Sequence, residues 1–175
     1  MRSVFFVFLT MSLLSFSQDY NKGLMCFSDK DYVCARHYFS TIVNSNAYNT
    51  VTTEYAHYYL FLSALNLYHY DTEALFYNFI KKFPLSNKQI DARFHMSQYL
   101  FEKKKYKEVV DLLSQINLYS FSDFWQKKVF FYLGYSAYKM QDFDLAKNSF
   151  YELIIDSNTQ YREDALFYNS HILFL

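Results

Sequence analysis

Apolar residues recur at helical spacing in the stretch from Phe131 to Ile154. Positions three or four apart share one face of an α-helix, so this spacing predicts two amphipathic helices. The polar turn "MQD" separates them, and so short a connection predicts an antiparallel hairpin. Counted from Gly134, apolar or small residues follow at nine, twelve, sixteen and nineteen positions: Phe143, Ala146, Phe150 and Leu153.

The same spacing recurs from other small residues. The other glycine of the chain, Gly23, starts a second copy, and Ser97 starts a third. A weaker copy starts at Ala64, with Ala74 as the small residue of its second helix and a connection about two residues shorter than in the other copies, a connection length within the usual range. A fifth start is Ser170. These starts are 41, 33, 37 and 36 residues apart, which is the period range of helical-hairpin repeats.

Helices are therefore predicted along the whole chain after its N-terminus. With one proline and two glycines, the chain has little turn chemistry for a many-stranded β fold, so the expected class is all-α. The predicted helices are 18–28, 31–45, 52–68, 71–83, 88–102, 105–116, 122–139, 142–156 and 161–175. Hairpins are expected near 18–50, 52–86, 88–120 and 122–158, with an incomplete fifth at 161–175.

The combination Leu133-Gly134-Ala146-Phe150, with Gly23-Ala35-Phe39 as a second instance, resembles the tetratricopeptide repeat. That family places one small residue in each helix of its hairpin, and the resemblance covers residues 18–175. It implies a right-handed α-solenoid of stacked hairpins. The positions assigned to the repeat are Gly23, Ala35, Ala64, Ala74, Ser97, Val109, Gly134, Ala146 and Ser170.

Aromatic residues stand three before and four after the small position in the first helix of every copy. A separation of seven residues is about two helical turns, so the two rings of each pair share one face. In the resembled family this face lines the concave groove that binds peptides and partner proteins. The alternative is that the rings pack between neighbouring first helices. The pairs are Tyr20/Phe27, Phe61/Tyr68, Phe94/Phe101, Phe131/Tyr138 and Phe167/Phe174.

The N-terminus has the pattern of a secretory signal peptide. Arg2 precedes an apolar run at 4–14, and Ser15 and Ser17 provide small residues for cleavage before Gln18. We therefore expect residues 1–17 to be removed and residues 18–175 to act in the periplasm or cell envelope. No later stretch is long and apolar enough to cross a bilayer. With its leader, the chain resembles the beginning of long exported tetratricopeptide proteins of Gram-negative bacteria.

Charge and motifs argue against several function classes. The chain has 17 basic and 17 acidic residues, so no nucleic-acid partner is expected. None of the five histidines forms an H-x-x-x-H or H-E-x-x-H pair, and the sequence contains no nucleophile elbow or phosphate-binding glycine loop. We expect no metal, no cofactor and no enzymatic activity.

The two cysteines, Cys26 and Cys34, lie eight residues apart on successive predicted helices. An exported chain can oxidise such a pair. Sequence spacing does not show whether the two thiols meet, and two buried free thiols are the favoured expectation.

The predicted helix 161–175 ends in "ILFL" with no second helix to cover it. Repeat arrays need a polar terminal cap. The favoured expectation is that Leu175 is a truncated end, and the alternative is that another chain covers the face, with self-association through this helix.

The predicted function is a non-enzymatic scaffold in the cell envelope that binds a partner protein or peptide in an aromatic groove. Two alternatives stay open. One is a glycan-binding helical-repeat module, in which isolated exposed rings stack on sugars. The other is a structural N-terminal cap of a longer envelope protein, with no ligand of its own and with its rings buried between first helices.

Overall fold

The computed structural model describes residues 18–45, 51–118 and 122–174. The predicted leader, most of the connection between the predicted helices 31–45 and 52–68, and Leu175 lie outside these ranges. Every regular element in them is helical, so the all-α prediction is confirmed, and each predicted helix has a counterpart whose ends agree within three residues. The helices are α1 (18–28), α2 (Tyr32–Asn44), α3 (Val51–Asn66), α4 (Thr72–Lys82), α5 (Gln89–Glu102), α6 (Tyr106–Leu113), α7 (Asp123–Lys139), α8 (Phe143–Ile154) and α9 (Arg162–Leu173).

The first helix of four successive pairs ends in the same turn. A residue with positive φ follows the helix, and the next N–H donates to the carbonyl five residues back, as in the Schellman motif. The positive-φ residues are Lys30, Tyr68, Lys104 and Gln141. The bonds run from Asp31 to Cys26, His69 to Ala64, Lys105 to Leu100 and Asp142 to Ala137, at 2.9 to 3.0 Å. The turns recur at intervals of 38, 36 and 37 residues, a more even period than the predicted one.

These turns correct the predicted register of the second hairpin. In the other three turns, the residue whose carbonyl accepts the bond lies three positions after the small residue of its copy. In the second hairpin that acceptor is Ala64, so Phe61 stands at the position equivalent to Gly134. In the other hairpins the residue that donates this bond is also the N-cap of the next helix. In the second hairpin the donor is His69 and the N-cap is Asp71, so the connection is two residues longer than in the others, not shorter. Ala74 is exposed. Sequence periodicity could not fix this register, because α3 buries residues almost all around its circumference.

The chain divides into two compact units, one up to Ala92 and one from Arg93 onward, with the boundary inside α5. In the first unit α2 packs against α3, and α3 packs against α4. In the second unit α7 packs against α6, α8 and α9. The first core includes Ala35, Phe39, Ile42, Ala56 and Leu60, and the second includes Ala137, Ala146, Phe150, Leu153, Ala165 and Ile172.

Both glycines make room for a phenylalanine on the second helix of their hairpin. A Cβ at Gly134 would lie 2.8 Å from Phe150 Cε1, and one at Gly23 would lie 2.9 Å from Phe39 Cε1. Both rings are fully buried. The residue that fills the space above Gly134 is therefore Phe150, sixteen positions on, and not the small residue Ala146, twelve positions on. Close packing offsets the helix-propensity cost of about 1 kcal/mol.

A disulfide joins Cys26 near the end of α1 to Cys34 at the start of α2, with the two Cα atoms 5.7 Å apart. The expectation of two buried thiols is wrong, and both residues are only half-buried. The intervening turn brings them together, and Asp31 caps α2 by accepting a hydrogen bond from the Cys34 N–H at 2.9 Å. Asp142 caps α8 in the same way through the Leu145 N–H, at 3.2 Å.

Candidate functional site

Pairs of aromatic rings join the first helices α5, α7 and α9 in the second unit. Phe94 contacts Trp125 with ring centroids 5.0 Å apart, and the residues 37 and 36 positions later, Phe131 and Tyr161, stack at 4.7 Å. Rings at equivalent positions therefore meet from one hairpin to the next, edge-to-face in the first pair and stacked in the second. Recurring contacts of this kind are expected of repeated units.

A second ring pair recurs seven residues further along the same helices. Phe101 stacks on Tyr132 at 4.4 Å, and Tyr138 meets Tyr168 at 5.0 Å. In the first unit Phe27 meets Tyr59 at 5.1 Å. In each case the first ring stands four positions after the small residue of its copy, and the second stands two positions before the small residue of the next copy. For Tyr59 this holds when Phe61 is taken as the equivalent position in α3. This agreement supports the corrected register independently of the turns.

We call the half-buried rings of α7 and their neighbours the aromatic ridge. It runs across the second unit, and the rings contact one another instead of standing apart. Its members are Phe101, Tyr106, Phe131, Tyr132, Tyr135, Tyr138, Tyr161 and Tyr168, all half-buried.

The predicted groove residues fall into three groups. Phe61 is 0% exposed and Phe94 is 3% exposed, so these two are packing residues and have no surface with which to contact a partner. Tyr68, Phe167 and Phe174 are largely exposed. The remaining five, Tyr20, Phe27, Phe101, Phe131 and Tyr138, are half-buried, and three of them lie on the aromatic ridge.

Sequence reasoning missed five members of the ridge. Two of them, Tyr132 and Tyr168, stand two positions before the small residues Gly134 and Ser170. Tyr59, which is not on the ridge, has the same place in the first unit when Phe61 is the equivalent position. That spacing is a usable signal once the period is known. Tyr106, Tyr135 and Tyr161 lie at positions that only the packing of neighbouring helices brings to the ridge.

Three tyrosine hydroxyls on the ridge, those of Tyr106, Tyr132 and Tyr168, are neutral near pH 7. Burial, the larger cause, and the neighbouring Tyr135 raise the pKa of Tyr106 and of Tyr168. Burial likewise raises the pKa of Tyr132. Tyr138 Oη lies 3.0 Å from His171 Nδ1. The ridge therefore offers apolar ring surface together with neutral hydroxyl donors and acceptors.

Two lysines, Lys128 and Lys139, lie over rings towards the two ends of α7. Lys128 Nζ is 5.5 Å from the centre of the Trp125 ring and 5.7 Å from that of Tyr132. Lys139 Nζ is 5.2 Å from the Tyr135 ring. Burial among the rings lowers the pKa of Lys128. These cation–π contacts place positive charge near both ends of the ring surface. Two carboxylates also lie close by: the charge of Glu102 acts on Lys128, and that of Asp164 acts on Tyr168.

Other polar clusters give less support for a site. A shallow groove of about 420 Å³ is lined in part by Asp123, Lys127, Glu152 and Asp156, and Lys127 forms ion pairs with Asp123 and Asp156. A second groove of about 330 Å³ lies beside Pro84. Among the described residues, no three His, Cys, Asp or Glu side chains converge on a point where a metal ion could bind.

None of the described helices combines the length and apolarity that crossing a bilayer requires. We take the aromatic ridge, which combines ring surface, hydroxyls and two lysines, as the candidate functional site. Comparison with protein-family models, with curated proteins and with solved structures yields no match for this chain.

Proposed function

We propose that this protein is a non-enzymatic scaffold of tetratricopeptide-like hairpins that binds a partner protein or peptide along the aromatic ridge. The observation that carries the proposal is the ridge itself, because half-buried aromatic rings with neutral hydroxyls are the side chains that dominate protein-interaction hot spots. The recurring turns and ring pairs support the repeat architecture. A right-handed solenoid would extend the same face across successive hairpins.

The charges on α7 define the class of partner. Lys128 and Lys139 are eleven residues apart, which corresponds to about 16 Å along a helix. An extended peptide covers that distance with about five residues. The proposed ligand is therefore an extended segment with an apolar or aromatic centre and acidic residues at both ends.

An exported location is part of the proposal. The Cys26–Cys34 disulfide supports it, because disulfides persist in oxidising compartments and are rare in the cytosol. The signal-like pattern of residues 1–17 points the same way.

Peptide selection tests this function directly. A random peptide library displayed on phage is selected against the purified chain, and enriched peptides are then measured by fluorescence anisotropy. We expect enriched sequences to carry two acidic residues about five positions apart. The double substitution Lys128→Glu/Lys139→Glu should weaken binding at least about tenfold, because two favourable charge contacts become repulsive.

The matched control is Lys81→Glu, which reverses an exposed lysine on α4, in the unit that does not contain the ridge. It should leave binding unchanged, and all variants should keep the helical circular dichroism of the wild type. Absence of any enriched peptide, or equal binding by the double variant, would contradict the proposal.

A structural role without a ligand is the second candidate. The ring pairs between first helices favour it, because each ring already has a partner within the chain. This candidate predicts that the peptide selection fails while substitutions such as Tyr132→Ala destabilise the fold. Glycan binding has less support, since the ridge rings pack on one another and are not isolated.

A further inference from the structure

Lysines are concentrated at one turn of the second unit, the turn that joins α5 to α6. Four of the five residues 103–107 are lysines. This turn lies beside the end of α7, because Tyr106 contacts Tyr135 with ring centroids 5.9 Å apart and the charge of Lys139 acts on Tyr106. All of these lysines are exposed except Lys105, which is half-buried. We call the lysines of the two turns the basic end: Lys103, Lys104, Lys105, Lys107 and Lys139.

Helix stability does not account for the lysine at position 105. Lys105 is the N-cap of α6, and its side chain makes no capping hydrogen bond. In two other hairpins the equivalent residues, Asp31 and Asp142, accept a hydrogen bond from the backbone of the helix that they begin. The backbone is alike in all three, with φ between −81° and −85° and ψ between 64° and 79°. An aspartate would therefore fit this N-cap, and the lysine gives up a stabilising bond.

The charge of Lys107 also opposes the helix that carries it. Lys107 lies in the first turn of α6, and positive charge near the N-terminal end of a helix is unfavourable. The equivalent residue of α8 is Asp144, which has the favourable sign. Local stability therefore favours an acidic side chain at both positions 105 and 107. Binding of an anionic partner is a physical reason for lysine at both.

The acidic residues near these turns do not cancel the charge of the basic end. They are Glu102, Glu108, Asp142 and Asp144. The Asp142 carboxylate is used in capping α8, and Asp144 forms an ion pair with Lys147 at 3.5 Å. With Lys147 included, six lysines stand against four carboxylates, so the two turns together carry a net positive charge.

The other end of the same hairpin is acidic. Asp123 begins α7, while Glu152 and Asp156 lie near the end of α8. All three line one groove, together with Lys127. Because α7 has 17 residues, the two ends are about 26 Å apart, which exceeds the Debye length of about 8 Å at physiological ionic strength. An anionic surface in contact with the basic end therefore attracts the lysines without repelling these carboxylates.

The shape of the basic end fits a flat partner. Sites for small ligands are concave, whereas a turn between two helices projects outward, and neither of the grooves described above includes a lysine of the basic end. Met140 follows Lys139 and is 43% exposed. It adds an apolar side chain of the kind that enters the boundary between lipid headgroups and acyl chains. Clusters of four to eight basic residues are typical of proteins that bind anionic lipids.

We propose that the basic end docks this protein on the anionic surface of a phospholipid bilayer. The lysine ammonium groups contact the phosphates of acidic headgroups, and the far ends of α7 and α8 point away from the membrane. The attraction is electrostatic, with a small apolar contribution from Met140, so the binding is reversible. The proposal does not depend on a ligand for the aromatic ridge.

Sedimentation of the full chain with lipid vesicles tests this docking. One set of vesicles contains phosphatidylcholine and phosphatidylglycerol, and the reference set contains phosphatidylcholine alone. We expect binding to the first set only, and the binding should weaken as added salt shortens the Debye length. Lys104→Glu/Lys107→Glu should reduce the binding constant at least about 25-fold, because each lysine contributes about fivefold.

The matched control is Lys30→Glu/Lys81→Glu, which makes the same change of charge in the first unit. Lys30 has the same positive-φ position in its turn as Lys104, so the two double variants place equal strain on the backbone. The control should bind the anionic vesicles nearly as well as wild type. Circular dichroism confirms that each variant is folded.

Lys105→Asp separates binding from stability. It introduces the capping side chain that α2 and α8 have, so the guanidinium midpoint should stay the same or rise. Vesicle binding should nevertheless fall at least about fivefold. A lysine that served the fold alone would give a lower midpoint and unchanged binding.

Several outcomes would overturn the proposal. They are equal binding to the two sets of vesicles, no binding to either, wild-type binding by the folded Lys104→Glu/Lys107→Glu variant, and a lowered midpoint for Lys105→Asp. Polyglutamate is the remaining probe. If it binds the chain more tightly than the anionic vesicles do, and the same double variant loses that binding, an acidic protein segment is the partner and the membrane is not.

Discussion

The contact between Gly134 and Phe150 offers the sharpest test of how the hairpins pack. A Cβ at Gly134 would lie 2.8 Å from one carbon of the Phe150 ring and 2.9 Å from another. The ring is fully buried in the core of the second unit, so it has little room to move. Gly134→Ser should therefore destabilise the protein even though serine is the better helix former.

The magnitude follows from two opposing terms. Overpacking a filled core costs roughly 1–3 kcal/mol, and replacing glycine by serine in a helix recovers about 0.5 kcal/mol. The net loss in the free energy of unfolding is then about 0.5–2.5 kcal/mol. Phe150→Leu alone should cost about 1–2 kcal/mol through lost volume.

The double variant is the decisive measurement, because a smaller residue at position 150 leaves space for the serine. In the copy that begins at Ser97, the residue sixteen positions on is Leu113. Gly134→Ser/Phe150→Leu places the same two residue types at the equivalent positions of the later hairpin. It should be no less stable than Phe150→Leu alone, which gives a favourable coupling of about 0.5–2.5 kcal/mol, within the range found for residues in contact.

Guanidinium unfolding followed by circular dichroism supplies the four free energies of the cycle. Ala74→Ser is the control for a small-to-serine change on an exposed helical position, and it should alter stability by less than about 0.5 kcal/mol. Strictly additive single effects would refute the claim that the glycine exists to accommodate the ring.

Three further predictions concern other parts of the chain. Cys26→Ser/Cys34→Ser should lower the free energy of unfolding by about 2–3 kcal/mol, the chain-entropy value for an eight-residue separation, and added reductant should have no further effect on this variant. Burial, with the nearby Lys82 charge, lowers the pKa of His57 from 6.5 to about 4, so the unfolded chain takes up the proton first. Stability should therefore fall by up to about 3 kcal/mol as pH drops from about 6.5 to about 4, and His57→Gln should flatten that part of a denaturation profile. Ser136→Ala should be neutral or stabilising in thermal melts, because the Ser136 hydroxyl is buried without a hydrogen-bond partner among the described residues; marked destabilisation would contradict this.

The aromatic ridge could be predicted only in part. Phe101, Phe131 and Tyr138 follow from the repeat spacing, since positions seven apart on a helix share a face wherever the helix lies. The same spacing also selects Phe61 and Phe94, which are buried. Periodicity identifies which residues share a face, but exposure depends on how closely the neighbouring helix approaches that face.

Local pattern alone determined the helices of this protein and the hairpin turns that recur between them, because both depend on side-chain spacing within one helix and on short polar connections. Tertiary structure decided the register of α3, because a helix that is apolar on nearly every side fits the periodicity in several registers. It also decided that Cys26 meets Cys34 and that Phe150, not Ala146, lies over Gly134. Those contacts depend on the relative rotation and axial position of two helices, which the spacing of residues within either helix does not specify.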